Sequence, residues 1–214
     1  MAPQECVQVA TLNFKPSLQP DPSQPPASFT DVSAQLQAVP GVEAVYLGQQ
    51  MERPATWTWA VRWASAAALD AFLASPSFTG WLASFRAIAD SYILSEALLR
   101  GDVGAALDAP CTEVFTAYGT ADGFLESRMA PFAANVDAGR LPGHHGSAFG
   151  QLDILTQHGV TAPDGNKLAI ILGWDTKEAH LAQRGDGKLI DNNIHYLRDD
   201  RQSVDLYHVK LTKL

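Results

Sequence analysis

The chain has no apolar run approaching the roughly 18 residues that a membrane-spanning helix needs, and no excess of basic charge. With 15 Lys and Arg against 23 Asp and Glu, its net charge is -8, so the electropositive footprint required by nucleic acid or an anionic membrane surface is missing. Cysteine is scarce. Cys6 and Cys111 are the only two, too few and too far apart in sequence for a disulfide framework or a C-x-x-C centre, and both are expected as free, buried thiols. Neither G-x-G-x-x-G nor G-x-x-x-x-G-K occurs, which removes the common nucleotide cradles; Gly185-Asp186-Gly187-Lys188 reads as a turn. No H-x-x-x-H or H-x-E spacing announces a metal, and no nucleophile elbow supports a Ser-His-Asp site, so neither metal nor cofactor is expected. Met1 to Glu5 carries neither a basic nor an apolar leader, and a cytoplasmic protein is the expectation.

What is present is a repeat. Pro40-Gly41-Val42-Glu43, followed by Gly48-Gln49, returns as Pro142-Gly143-His144-His145, followed by Gly150-Gln151. Trp63-Ala64-Ser65 opens an Ala-rich helical run, and Trp174-Asp175-Thr176 opens another. Cys6 and Cys111 each stand where the first strand of a half begins. One structural unit is therefore used twice.

Each copy reads β-α-β-β-α-β. In the first, strands are expected over 6–14, 42–52, 55–63 and 92–99, with Trp57, Trp59, Val61 and Trp63 sharing one face by the period of two. Five prolines between Lys15 and Pro26 mark a loop, and Phe29, Val32, Leu36 and Val39 lie at helical spacing. Ser65 caps a second helical region broken near Pro76. The second copy repeats the order, with strands over 112–118, 147–155, 167–174 and 204–211. Its helices run over 124–138, with Pro131 inside, and 177–198, loosened at Gly185-Asp186-Gly187. The fold class is thus α+β, two ferredoxin-like repeats forming an intramolecular α+β barrel, with repeat 1 over 1–100, a linker over 101–110 and repeat 2 over 111–214.

The Pro-Gly-Val stretch before the second strand, then Trp63-x-Ser65 and Ala68-Leu69-x-Ala71-Phe72-Leu73-Ala74-Ser75-Pro76, resembles the dimeric α+β barrel superfamily. That group includes antibiotic-biosynthesis monooxygenases, stress-responsive barrel proteins and olivetolic acid cyclase. The resemblance covers almost the whole chain as a tandem version of a usual homodimer. It implies a ligand site between sheet and helices and chemistry without metal or cofactor. It does not carry over a cyclase site. Positions matching that branch's Tyr and His hold Phe72 and Phe78, or Gln183 and Leu189, and its first-strand His falls on Val9.

All six histidines lie in the second half and four of the five tryptophans in the first, so the working site is expected in the second copy. His144 and His145, at the entry to a strand between Gly143 and Gly146, are candidate general bases, because imidazole titrates near neutrality. His208 joins them if the face it shares with Val204 and Leu206 is inward, and Tyr118 could orient a carbonyl. Ile190, Ile194 and Leu197 define a buried stripe, leaving His195 solvated, with Asn193 and Tyr196 at its flanks; Trp174 and Phe149 complete the expected substrate wall. His158 and His180 are expected on the surface. The Trp57, Trp59 and Trp63 stripe reads as core, or as an aromatic ligand wall.

The function that follows is a cofactor-independent enzyme of secondary metabolism doing proton-transfer chemistry, as a cyclase, isomerase or lyase, on an apolar phenolic or polyketide-like substrate. A cofactor-free monooxygenase and a non-catalytic binding or stress-response barrel are the alternatives. The partner is a small aromatic molecule; a monomer suffices and a homodimer stays open.

Overall fold

The computed structural model describes residues 4–214, so the leader expectation drawn from Met1 to Glu5 falls largely outside it. In chain order the elements are β1 (Glu5–Phe14), α1 (Phe29–Gln37), β2 (Val42–Gln49), β3 (Trp57–Trp63), α2 (Ala66–Leu73), α3 (Pro76–Ile88), β4 (Ala89–Gly101) and α4 (Val103–Leu107). There follow β5 (Cys111–Tyr118), a π turn at Leu125–Met129 leading into α5 (Ala130–Ala138), β6 (His144–His158), β7 (Lys167–Trp174), α6 (Lys177–Leu181), α7 (Leu189–Asn193), α8 (His195–Arg198), β8 (Ser203–Val209) and β9 (Thr212–Lys213). None of the described helices is long and apolar enough to cross a membrane.

These elements form two compact units, one of residues 5–97, 154–162 and 212–214, the other of 98–153 and 163–211. The first orders its strands β4-β1-β3-β2-β9 and the second β8-β5-β7-β6. Apart from the added edge strand β9, both follow the ferredoxin-like order, and the α+β class with two such repeats is what the chain adopts. Residues 101–110, the expected linker, hold α4. Asp102 caps it by accepting from the Ala105 amide at 2.9 Å, and Val103, Ala106 and Leu107 are buried.

The repeat read from the sequence is a repeat of backbone devices. Gly41 and Gly143 both have positive φ, +93° and +77°, a conformation side chains resist. The Gly41 carbonyl accepts from the Ala64 amide at 2.7 Å, and the Gly143 carbonyl from the Asp175 amide at 2.7 Å. Each glycine leads into a register shift against the next strand, between Val42 and Ala44 and between His144 and Gly146, so Glu43 and His145 are the matching bulge residues. Ser65 caps α2 by accepting from the Ala68 amide at 3.2 Å; Thr176 caps α6 from the Ala179 amide at 3.0 Å.

The first unit fills the space between sheet and helices with rings. Trp59 lies 5.0 Å from Phe29, 5.7 Å from Trp81 and 5.6 Å from Phe85, centroid to centroid. The tryptophan stripe is core, and Cys6, pushed up to about 12 by burial and by the neighbouring Glu96, is an inert thiol. In the second unit every residue of β7 after Lys167 is buried, as its apolar run required.

Candidate functional site

The second unit holds a cluster of buried polar side chains between its sheet and its helices. On β5, Glu113, Phe115 and Ala117 share the face that packs against helices by the period of two. Directly across the ladder, Glu113 pairs with His208 on β8, which puts both side chains on that face. The Thr176 cap starts α6 so that its fourth residue, His180, turns back onto the sheet. Its ring stacks on Trp174 at 5.1 Å and an interplanar angle of 23°.

The three side chains converge. His180 Nδ1 lies 2.8 Å from His208 Nε2 and 3.3 Å from a Glu113 carboxylate oxygen, and the Trp174 indole N–H donates to the same oxygen at 3.0 Å. Glu113 is 6% exposed and both histidines 2%, so water contributes little to stabilising any charge here. Glu113 and His180 line a cavity of about 40 Å³ walled by Phe115, Phe132, Ile170, Leu172, Ile190, Ile194, Leu197 and Leu206. Arg184 closes it from the helical side, ion-paired to Asp191 at 2.5 Å. A buried carboxylate whose neighbours are imidazoles has one cheap way to be compensated. Charge on an imidazole beside it would make the cluster an ion pair.

His180 is thus not on the surface, as expected from the sequence, but at the centre of the cluster, because the capped turn aims its side chain inward. Three groups able to ligate a metal do come together, with their donor atoms within 4.8 Å of one another, although no short-range spacing announced them. Of the expected bases, His208 enters the cluster. His145 is exposed at the bulge and pairs with Asp175 at 2.7 Å. His144 lines a separate open cleft of about 380 Å³ together with Asp102, Asp137, Arg140 and Ser147, and contacts the Ser147 hydroxyl at 3.1 Å. Tyr118 has the opposite parity to Glu113 on β5 and points to the other face.

Among the expected wall residues, Trp174 orients Glu113, while Phe149 packs at the margin of the core beneath the Arg100 guanidinium. Asn193 is engaged with Asn135 at 2.6 Å and Tyr196 stacks beside His195 at 4.3 Å; neither lines the cavity. The Ile190, Ile194 and Leu197 stripe does.

Burial lowers the pKa of His144, offset in part by Asp137. The unfolded chain therefore binds this proton at higher pH than the folded chain, and stability falls as pH drops below the ordinary histidine value of ~6.5. His144→Gln is expected to flatten the fall in melting temperature between pH 7 and pH 5; an unchanged slope would place its cause elsewhere.

By sequence, residues 24–84 match the antibiotic biosynthesis monooxygenase family. No curated protein matches the chain. Among solved structures it is similar to an anthrone oxidase-like protein, with a TM-score of 0.69 and 13% identity over 97% of this chain and 91% of that one. A candidate monooxygenase from Lactobacillus acidophilus NCFM gives 0.61 and 10% over 98% and 95%. Another from Fusobacterium nucleatum subsp. nucleatum ATCC 25586 gives 0.63 and 13% over 100% and 95%. At these identities the likeness is one of fold.

Proposed function

We propose that this chain, a tandem member of the dimeric α+β barrel superfamily, is an enzyme of small-molecule secondary metabolism. In this reading it takes a proton from an acidic phenol or activated C–H group of an apolar substrate. The observation that carries the reading is the buried Glu113, His180 and His208 cluster at the wall of an apolar cavity. The substrate's proton passes to the cluster, where His180 holds it and Glu113 compensates the imidazolium; His208, behind it, fixes the ring. The phenolate or enolate left behind faces Arg184, whose Nε–H is held by Asp191 and whose other guanidinium N–H groups are left to donate. Ligand pockets span about 300 Å³ or more, so entry requires α7 and α8 to move outward from a cavity of about 40 Å³. Gly185 and Gly187, with φ of +120° and +75°, stand before α7 as the joints such a movement would turn on.

Two continuations start from the same anion. Ring closure and isomerisation need only the proton's return to a new oxygen or carbon, and in an elimination the proton leaves on the departing group. Reaction with oxygen fits the family match over 24–84 equally: a CH2 flanked by conjugated rings and one O2 become a C=O and one water. The expected partner remains a small aromatic molecule rather than nucleic acid or membrane, in keeping with the net charge of -8. The test is to titrate chelator-treated protein with chromophoric phenols, then to incubate it with polyketide-type phenols while recording oxygen uptake and product mass. A shift of bound phenol to phenolate at neutral pH supports the reading, and product mass separates the continuations. Phenols that bind without ionising, or do not bind, and no turnover, would overturn it.

A further inference from the structure

The geometry points to a second use of Glu113, His180 and His208: we infer that they form a binding site for one divalent first-row transition ion, with Zn²⁺ as its simplest probe. Their donor atoms come from three elements, β5, α6 and β8, and all lie within 4.8 Å of one another. Bonds of ~2.0–2.2 Å to a shared ion place neighbouring ligand atoms about 3.0–3.5 Å apart. The observed separations are 2.8 Å between the two imidazole nitrogens and 3.3 Å from His180 to the carboxylate. Those two pairs need adjustments of a few tenths of an ångström, and the third pair, His208 with Glu113, closes from a separation of no more than 4.8 Å.

The donor set, two imidazoles and one carboxylate, suits zinc, iron or cobalt rather than calcium or magnesium. The surroundings fit as well. Trp174 donates its indole N–H to the ligating carboxylate at 3.0 Å, which is the outer-shell bond that holds such a ligand in place. The cavity of about 40 Å³ beside Glu113 and His180 has room for a water or one substrate atom in the open coordination position. Burial of all three ligands slows exchange of the ion with solvent.

An ion there occupies the lone pairs that accept a proton, so Zn²⁺ and proton transfer exclude each other. That consequence rests on the proposed reaction; binding of the ion does not. Tag-free protein is stripped with chelator, loaded with Zn²⁺ or Co²⁺ alone, desalted and assayed for retained metal and for a tetrahedral Co²⁺ visible band. The expected result is one ion per chain, weakened at least about 100-fold in Glu113→Gln and in His208→Gln and unchanged in His145→Ala, which alters the exposed His145 and Asp175 pair. Two ligand variants guard against one failing to fold, and circular dichroism checks each. No retained ion, or retention that survives Glu113→Gln and His208→Gln, would overturn the site. Phenol ionisation by the stripped protein is read separately, so failure of the reaction and failure of the metal site are told apart.

Discussion

Replacing His180 with Leu is expected to slow proton abstraction by about 10²–10⁴-fold while the chain stays folded. The chain itself supplies the reason for the second half of that statement. Counting from the cap residues, Ser65 and Thr176, His180 occupies the place of Leu69, which is fully buried in the first unit. Counting from Cys6 and Cys111, Glu113 occupies the place of Gln8. The first unit is thus a natural version of the double substitution, and there a different helical residue, Phe72, stacks on the tryptophan that ends β3, as His180 does on Trp174. Glu113→Gln is the partner experiment: Gln keeps an acceptor for the Trp174 N–H and removes only the charge. Both variants should lower kcat and leave phenol binding within a few-fold, since apolar walls supply the binding energy. Turnover at the wild-type rate in His180→Leu would make the cluster a structural network.

The same correspondence explains what the sequence could and could not reveal. The Pro-Gly turns and the Ser65 cap were legible because each rests on a local rule, a helix breaker and a hydroxyl before a helix, whereas the bulges showed only in the strand register. The strands were legible because Trp57, Trp59, Val61 and Trp63 alternate, and because Leu168 to Leu172 are apolar at every position. His180 was missed because α6 is only five residues long and offers no stripe from which to judge its inward face. A signal existed. Laying Thr176 on Ser65 puts His180 on a buried leucine, and a histidine in a leucine's place is a candidate for chemistry. Glu113 was equally visible, as a carboxylate sharing strand parity with Phe115 and Ala117. What no local rule shows is that β8 delivers His208 opposite Glu113, since that pairing joins residues 95 positions apart in the chain.

Trp59→Ala is expected to cost about 3–5 kcal/mol of stability. Trp59 is 2% exposed and its ring meets Phe29, Trp81 and Phe85, so removing it leaves a cavity bounded by other rings that cannot close without moving α1 and α3 together. The indole N–H adds nothing to this. It has no hydrogen-bond partner among the described residues, and Trp59→Phe keeps most of the ring while deleting a buried donor. That variant should therefore cost roughly 1 kcal/mol, the lost volume being partly offset by the donor's removal. Urea unfolding of the two variants measures the contrast. If Trp59→Phe were as damaging as Trp59→Ala, the N–H would be held by something the packing does not provide, and the aromatic face would have to be read as a binding wall. If the contrast holds, the rings of the first unit are core packing rather than a binding wall.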